Sequence, residues 1–299
     1  MRRLLDEYGS WLYSRGRAES TVKMYTYIAS RFLDWMYRMG YRDMNTDRVL
    51  EFLGHVRESG GSPTYIRLVF RSLKSLFRFM GIPWDLTRDD IPPDDEPHIP
   101  YFTLEEMERL IEVAKNYPVR GRGGLEDPEE RRACIYAMVR LAVTTGIRRK
   151  ELCNLNVEDY RPPYLIVRTT KHGRQSIRLL DDETIEAIER YLALRSRRMR
   201  IRESDPLFCS GKRRRYSPEH VSRIFSRIRR LAGIDKKGAS VHAIRRGLCT
   251  ELHKRGMSET MLMEYFGWKT PVVVSRYIRL TKEDVEKAVR RSHPFLGKR

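Results

Sequence analysis

Several common chemistries are missing from this 299-residue chain. Its four cysteines, Cys134, Cys153, Cys209 and Cys249, form no CxxC pair, so neither a zinc ribbon nor a disulfide framework is indicated and buried thiols are expected. The seven histidines show no HExxH spacing, and no GxxxxGK[ST] loop is present for a nucleotide. No run approaches the roughly 20 apolar residues that span a bilayer. The opening MRRLLDEYGSWLYSRG has the paired arginines of a signal peptide, but Asp6 and Glu7 interrupt any apolar stretch, and a cytoplasmic location is expected. Glutamine occurs once, at Gln175, and asparagine four times, against 33% charged residues. Hyperthermophile proteins have this composition, as do chains shaped by biased base composition.

Acidic residues are also in deficit. Lys and Arg number 59 against 40 Asp and Glu, leaving a formal charge of +19. Such an excess points to a polyanionic partner, and nucleic acid fits better than a membrane surface.

The length favours two domains. Residues 1–82 read as consecutive amphipathic helices, a small basic bundle with no strand pattern. Ser20 is the expected cap of one helix, and Ser62 with Pro63 the cap and first turn of another. On that last helix Arg67, Arg71 and Lys74 fall largely off the apolar face and are candidate DNA contacts. Residues 83–100 exchange basic helical pattern for prolines and acids and read as a linker. Residues 101–299 form the second domain, opening on a Thr103/Glu106 capping box. Residues 164–170, 171–174 and 175–179 read as strand, turn and strand. The remainder is helical.

Metal-free phosphodiester cleavage needs cations for the phosphate, a nucleophile and an acid for the leaving oxygen. In VTTGIRRKEL, Arg148 follows a glycine turn and precedes Glu151 by three residues; taken alone, this is most often a solvated ion pair. In VHAIRRGL, His242 and Arg245 share a helical face, which usually serves packing or a surface pair. Thr270 and Pro271 read as the start of a short helix carrying Tyr277, but tyrosine occurs 16 times and residue type alone selects none of them.

The ordered set is more informative. TGIRRKEL, the hairpin lysine of TTKHGRQSIRLL, HAIRR, and FGW followed nine residues after Trp268 by Tyr277 resemble the motifs of tyrosine recombinases of the phage-integrase and Xer type. The resemblance implies a mainly α fold with a small β-sheet: a helical, SAM-like core-binding bundle and an α+β catalytic domain clamping duplex DNA. It also implies that Arg148 and Arg245 clamp the scissile phosphate, His242 takes the phenol proton, Lys171 protonates the departing 5′ oxygen, Trp268 donates to the phosphate, Glu151 supports and Tyr277 attacks. No cofactor or metal is implied, and a 3′-phosphotyrosine would conserve the bond energy. A register shifted by one would put Arg149 in place of Arg148.

Two departures stand out: Arg246 occupies a position often held by a second histidine, and Ile177, Arg178 and Leu179 replace a Val-Pro-Leu ending. The basic runs at 195–202, 212–215 (with Lys212, Arg213 and Arg214) and 227–230 are either DNA-tracking or solvated surface. Residues 282–299 form a helix and tail suited to a neighbouring protomer in a dimer or tetramer on DNA, or to the chain's own domain. Within the family, Xer-like chromosome or plasmid dimer resolution is expected, with a virus- or plasmid-encoded integrase as the alternative. A type IB topoisomerase and a noncatalytic DNA-binding regulator are more distant alternatives.

Overall fold

The structure, a computed structural model, describes residues 1–92, 100–119, 127–168, 175–210, 213–275, 277–278 and 280–292. The chain divides into two compact units, Met1–His98 and Ile99–Arg299. Among the described residues no helix is long and apolar enough to cross a membrane.

The first unit contains α1 (Arg2–Ser14), α2 (Glu19–Arg38), α3 (Thr46–Glu58) and α4 (Pro63–Met80). The Ser62 hydroxyl accepts from the Tyr65 amide at the start of α4, and Gly81, at φ 69°, ends it. Helix α2 starts earlier than its serine suggested. The Ala18 carbonyl already accepts from Thr21 and Val22, so Ser20 lies inside the first turn and does not cap. Phe32, Phe52, Leu73 and Phe77 close the core, each contributing roughly 1.5–3 kcal/mol by leaving water. The expected linker begins as part of this unit: Trp84, Leu86 and Ile91 pack on the same core. Trp84 lies edge-on to Phe70 and Phe77, at 5.1 and 5.2 Å between centroids. The prolines and acids between these apolar residues masked their role.

The second unit is built around α6 (Pro128–Thr145), which is buried on nearly every side and packs against α5 (Leu104–Lys115) and α8 (Asp182–Arg198). The Thr103/Glu106 box forms at the start of α5, each residue's side chain bonding the other's amide. After α7 (Arg149–Asn154) come β1 (Tyr160–Arg161), β2 (Tyr164–Arg168) and β3 (Gln175–Leu179) in one antiparallel sheet. The hairpin register pairs Ile166 with Ile177. Strand β1 was not legible, since two residues carry no period. The chain continues through α9 (Pro218–Leu231), α10 (Val241–Lys254), α11 (Glu259–Phe266), α12 (Pro271–Ser275) and α13 (Lys282–Ser292). The fold is mainly α with one small sheet, as the motifs implied.

Candidate active site

Gly146 ends α6 in the left-handed region, at φ 58°. A Cβ there would meet Phe266 at 2.9 Å and Leu248 at 3.1 Å, so conformation and space both demand glycine. The chain then turns through buried Ile147 and sets Arg148 at the N-cap of α7. Glu151, buried, accepts the Arg148 amide at 2.9 Å and its guanidinium at 2.6 Å. The carboxylate therefore fixes both the backbone and the side chain of Arg148. Arg149 turns elsewhere, donating to the Ser222 hydroxyl on α9.

Helix α10 supplies His242 and Arg245, three residues apart. Arg245 is fully buried and donates to the carbonyl oxygens of Gly146 (2.7 Å) and Phe266 (2.9 Å), while its Nε has no partner. Burial and then the positive charge of Arg148 push it down to about 9, which leaves it a cation at neutral pH. His242 is exposed on α10. Partial desolvation, followed by Arg246, Arg245, Arg149 and Arg148, pushes it down to about 4, so the imidazole is neutral and able to accept a proton. Gly247 lets α10 press on Phe102, where a Cβ would lie 2.0 Å from the carbonyl oxygen.

Gly267 caps α11 at φ 66° and turns the chain to Trp268. The Trp268 ring lies 4.7 Å from Phe266 and 4.5 Å from Tyr277 between centroids. Its indole nitrogen is buried without an acceptor. Tyr277 lies just beyond α12, where its amide donates to the Val274 carbonyl at 2.8 Å, so the short helix positions the tyrosine without containing it. The Thr250 hydroxyl of α10 holds the Tyr277 carbonyl at 3.3 Å. The Arg245 guanidinium carbon is 5.2 Å from the Trp268 ring and 5.9 Å from the Tyr277 ring. Arg148, Glu151, His242, Arg245, Trp268 and Tyr277 thus converge from four separate stretches of chain. Lys171 lies outside the described residues.

Residues 100–284 match the model of the phage integrase family. The chain is a tyrosine recombinase of that family. Its class of enzyme cleaves and rejoins DNA. The tyrosine recombinase XerA of Pyrococcus furiosus is 30% identical over 295 residues, covering 97% of this chain and 94% of that protein. Among solved structures, the post-cleavage complex of XerH bound to palindromic difH superposes with a TM-score of 0.75 at 18% identity, covering 94% of this chain and 84% of that one. A lambda integrase dimer bound to a COC′ core site gives a TM-score of 0.70 at 21% identity, covering 93% and 95%. Both share the fold of this recombinase.

Not every cation of the recombinase is free to meet DNA. Arg195, from the run at 195–202, is fully buried, donating to the Pro206 carbonyl at 2.7 Å and the Leu207 carbonyl at 3.2 Å. Arg198 forks onto Glu130, and Arg215 donates to the carbonyls of Cys153 and Leu155. Of the candidate DNA contacts, Arg213 pairs with Asp205 at 3.0 Å, Arg67 donates to the Pro92 carbonyl at 3.1 Å, and Arg71 donates to the Arg67 carbonyl at 3.3 Å. Lys74 sits 5.9 Å from the Trp84 ring, Arg214 is exposed, and Lys212 lies outside the described residues. The recombinase's cysteines are buried free thiols. Among the described residues no group of three or more His, Cys, Asp or Glu is placed to hold a metal ion.

Sequence reasoning missed three features of the site. Arg246 lies 5.9 Å from the Tyr277 ring and donates to the Pro100 carbonyl at 3.2 Å. Phe266 forms the aromatic floor under Arg245, 4.5 Å from its guanidinium carbon. Arg178 is buried beside Tyr265 and Phe266. Phe266 stands within the FGW motif, and Arg246 and Arg178 stand out in the sequence only as departures from the family's motifs.

Proposed function

We propose that Tyr277 is the nucleophile of a site-specific recombination reaction on double-stranded DNA. The observation that carries this reading is the packing of Tyr277 against Trp268 beside the buried Arg245, with the Trp268 indole N–H and the Arg245 Nε both lacking acceptors. These are donors suited to a phosphate oxygen. Arg148, held by Glu151, supplies the second guanidinium of the clamp. Arg149 is committed to Ser222, which favours Arg148 in this role.

In this mechanism the Tyr277 oxygen bonds to phosphorus, and His242 takes the phenol proton. The bond from phosphorus to the 5′ oxygen breaks, and Lys171 donates the proton that makes it a hydroxyl. Arg148 and Arg245 neutralise the charge that builds on the nonbridging oxygens, and Trp268 adds one hydrogen bond. A 5′ hydroxyl from another strand reverses these steps and releases the tyrosine.

The first unit serves as the core-binding domain and the second as the catalytic domain, with DNA-bound dimers or tetramers as the working assembly. The lambda integrase neighbour, a dimer on its core site, supports that expectation. Xer-like resolution of chromosome or plasmid dimers in the cytoplasm is the role favoured by similarity to the archaeal XerA along nearly the whole chain. The test is to map covalent cleavage on genomic DNA from the source organism and place two copies of the mapped site on one plasmid. The expected result is recombinant product from the wild type and none from Tyr277→Phe. Relaxation of supercoils without exchange between sites would contradict it.

A further inference from the structure

Strand β3 presents Ser176 and Arg178 to the protein interior while Gln175, Ile177 and Leu179 are exposed. Arg178 is 1% exposed, and among the described residues no carboxylate lies within salt-bridge distance of it. Among the described residues its guanidinium donates to the Ile177 carbonyl, at 3.2 Å, and its Nε has no partner. Burying an uncompensated guanidinium is costly, so a charge kept in this state needs a reason.

The surroundings of Arg178 supply one. Its guanidinium carbon is 4.6 Å from the Tyr265 ring and 5.9 Å from the Phe266 ring, and Arg245 lies 4.5 Å from that same Phe266 ring on its way to the site. Tyr265, Phe266, Trp268 and Tyr277 form one continuous series of ring contacts, at 5.0, 4.7 and 4.5 Å. Arg178 is therefore seated at the far end of the aromatic tier that ends on Tyr277. Glu151 and Arg148 are among the charges that act on it, and it in turn is among those that act on Arg245.

We propose that Arg178 is a positioning residue of the cleavage site, a buried cation seated behind the Tyr265–Phe266 tier whose charge holds the potential around Arg148 and Arg245 positive when a phosphate binds. Glu151 fixes Arg148 but subtracts a charge from the clamp; Arg178 restores it from behind, without touching DNA.

This inference rests on the reading of Tyr277 as the nucleophile. The experiment uses the full chain and a suicide duplex bearing the cleavage position mapped for the wild type. The scissile link is made either as the ordinary phosphodiester or as a methylphosphonate, which lacks the anionic charge. For a charge acting from behind the clamp at an effective dielectric near 20, Arg178→Met is expected to slow covalent adduct formation on the phosphodiester roughly tenfold. On the methylphosphonate the loss should be about twofold or less, because the interaction removed is with the anion. Arg178→Lys, which keeps the charge and not the ring contact, should recover most of the phosphodiester rate. Equal losses on the two links, or failure of the lysine variant to recover, would reduce Arg178 to a packing residue and overturn the proposal. Adduct formation by the wild type on the phosphodiester is the internal control: its absence would remove the reading of Tyr277 itself, whereas its presence with an unaffected Arg178→Met overturns this inference alone.

Discussion

The guanidinium of Arg245 donates to the carbonyl oxygen of Gly146 at 2.7 Å, joining the glycine turn of one motif to the helix of another. That bond holds the backbone leading into Arg148 against the side chain proposed to share its phosphate clamp. The turn works only with glycine, since its φ is 58° and the Phe266 ring occupies the space beyond.

Gly146→Ala should therefore lose stability and geometry together. A strained left-handed alanine costs about 1–3 kcal/mol, which guanidinium unfolding of the variant would measure. DNA adduct formation should fall further than the folded fraction does, because Arg148 and Arg245 are displaced relative to each other. An unchanged unfolding midpoint would contradict the tight turn.

How much of the site was legible depends on how local each feature is. TGIRR and the Thr103/Glu106 box lie within a few residues, so their geometry follows from spacing alone. The grouping of His242 with Arg245 follows from helical period in the same way, whereas the fold class follows from the resemblance of the ordered motifs to a known family. The burial of Arg178, and of Arg195 within a run that reads as surface, is not legible because burial of a charge is a tertiary fact. A basic run counts cations without saying which way each side chain points. Trp84 reads as linker because its neighbours are prolines and acids, although its ring completes a core assembled from distant helices.

Arg195 and Arg214 separate the two uses of basic residues. Replacing Arg195 with Met removes the donor to Pro206 and Leu207 from the interior and should cost about 3 kcal/mol of stability. It should leave the salt dependence of DNA binding unchanged in the folded fraction. Arg214→Gln should leave stability alone and reduce the slope of log K against log salt by roughly 0.9 if it neutralises one phosphate. Fluorescence anisotropy across a salt series measures both slopes, and a shallower slope for Arg195→Met would contradict its structural assignment.

Glu151→Gln tests the support beneath the clamp. The amide retains one acceptor for the Arg148 backbone but loses the charge-assisted bond to its guanidinium. A loss of about 1–3 kcal/mol in stability is expected from unfolding curves. Adduct formation should fall with it, and unaltered rates would show that Arg148 needs no carboxylate to hold it.

The depressed pKa of His242 sets a pH dependence with a definite sign. Its ordinary value is 6.5, and the folded protein holds it near 4. Above about 6.5 both states are neutral and the group contributes no pH dependence; as pH falls toward 4 the unfolded chain gains a proton that the folded chain refuses, so stability drops. Wild type should therefore lose more melting temperature between pH 7.5 and 4.5 than His242→Gln. Equal losses would place the imidazole outside the arginine field.

The most direct measurement is identification of the residue joined to DNA. A nicked suicide duplex carrying the mapped site, trapped with the recombinase, digested with nuclease and protease and read by mass spectrometry, should yield one nucleotide-bearing peptide modified at Tyr277, with no adduct from Tyr277→Phe. An adduct on any other residue, or one that survives in Tyr277→Phe, would contradict the assignment of Tyr277 as nucleophile.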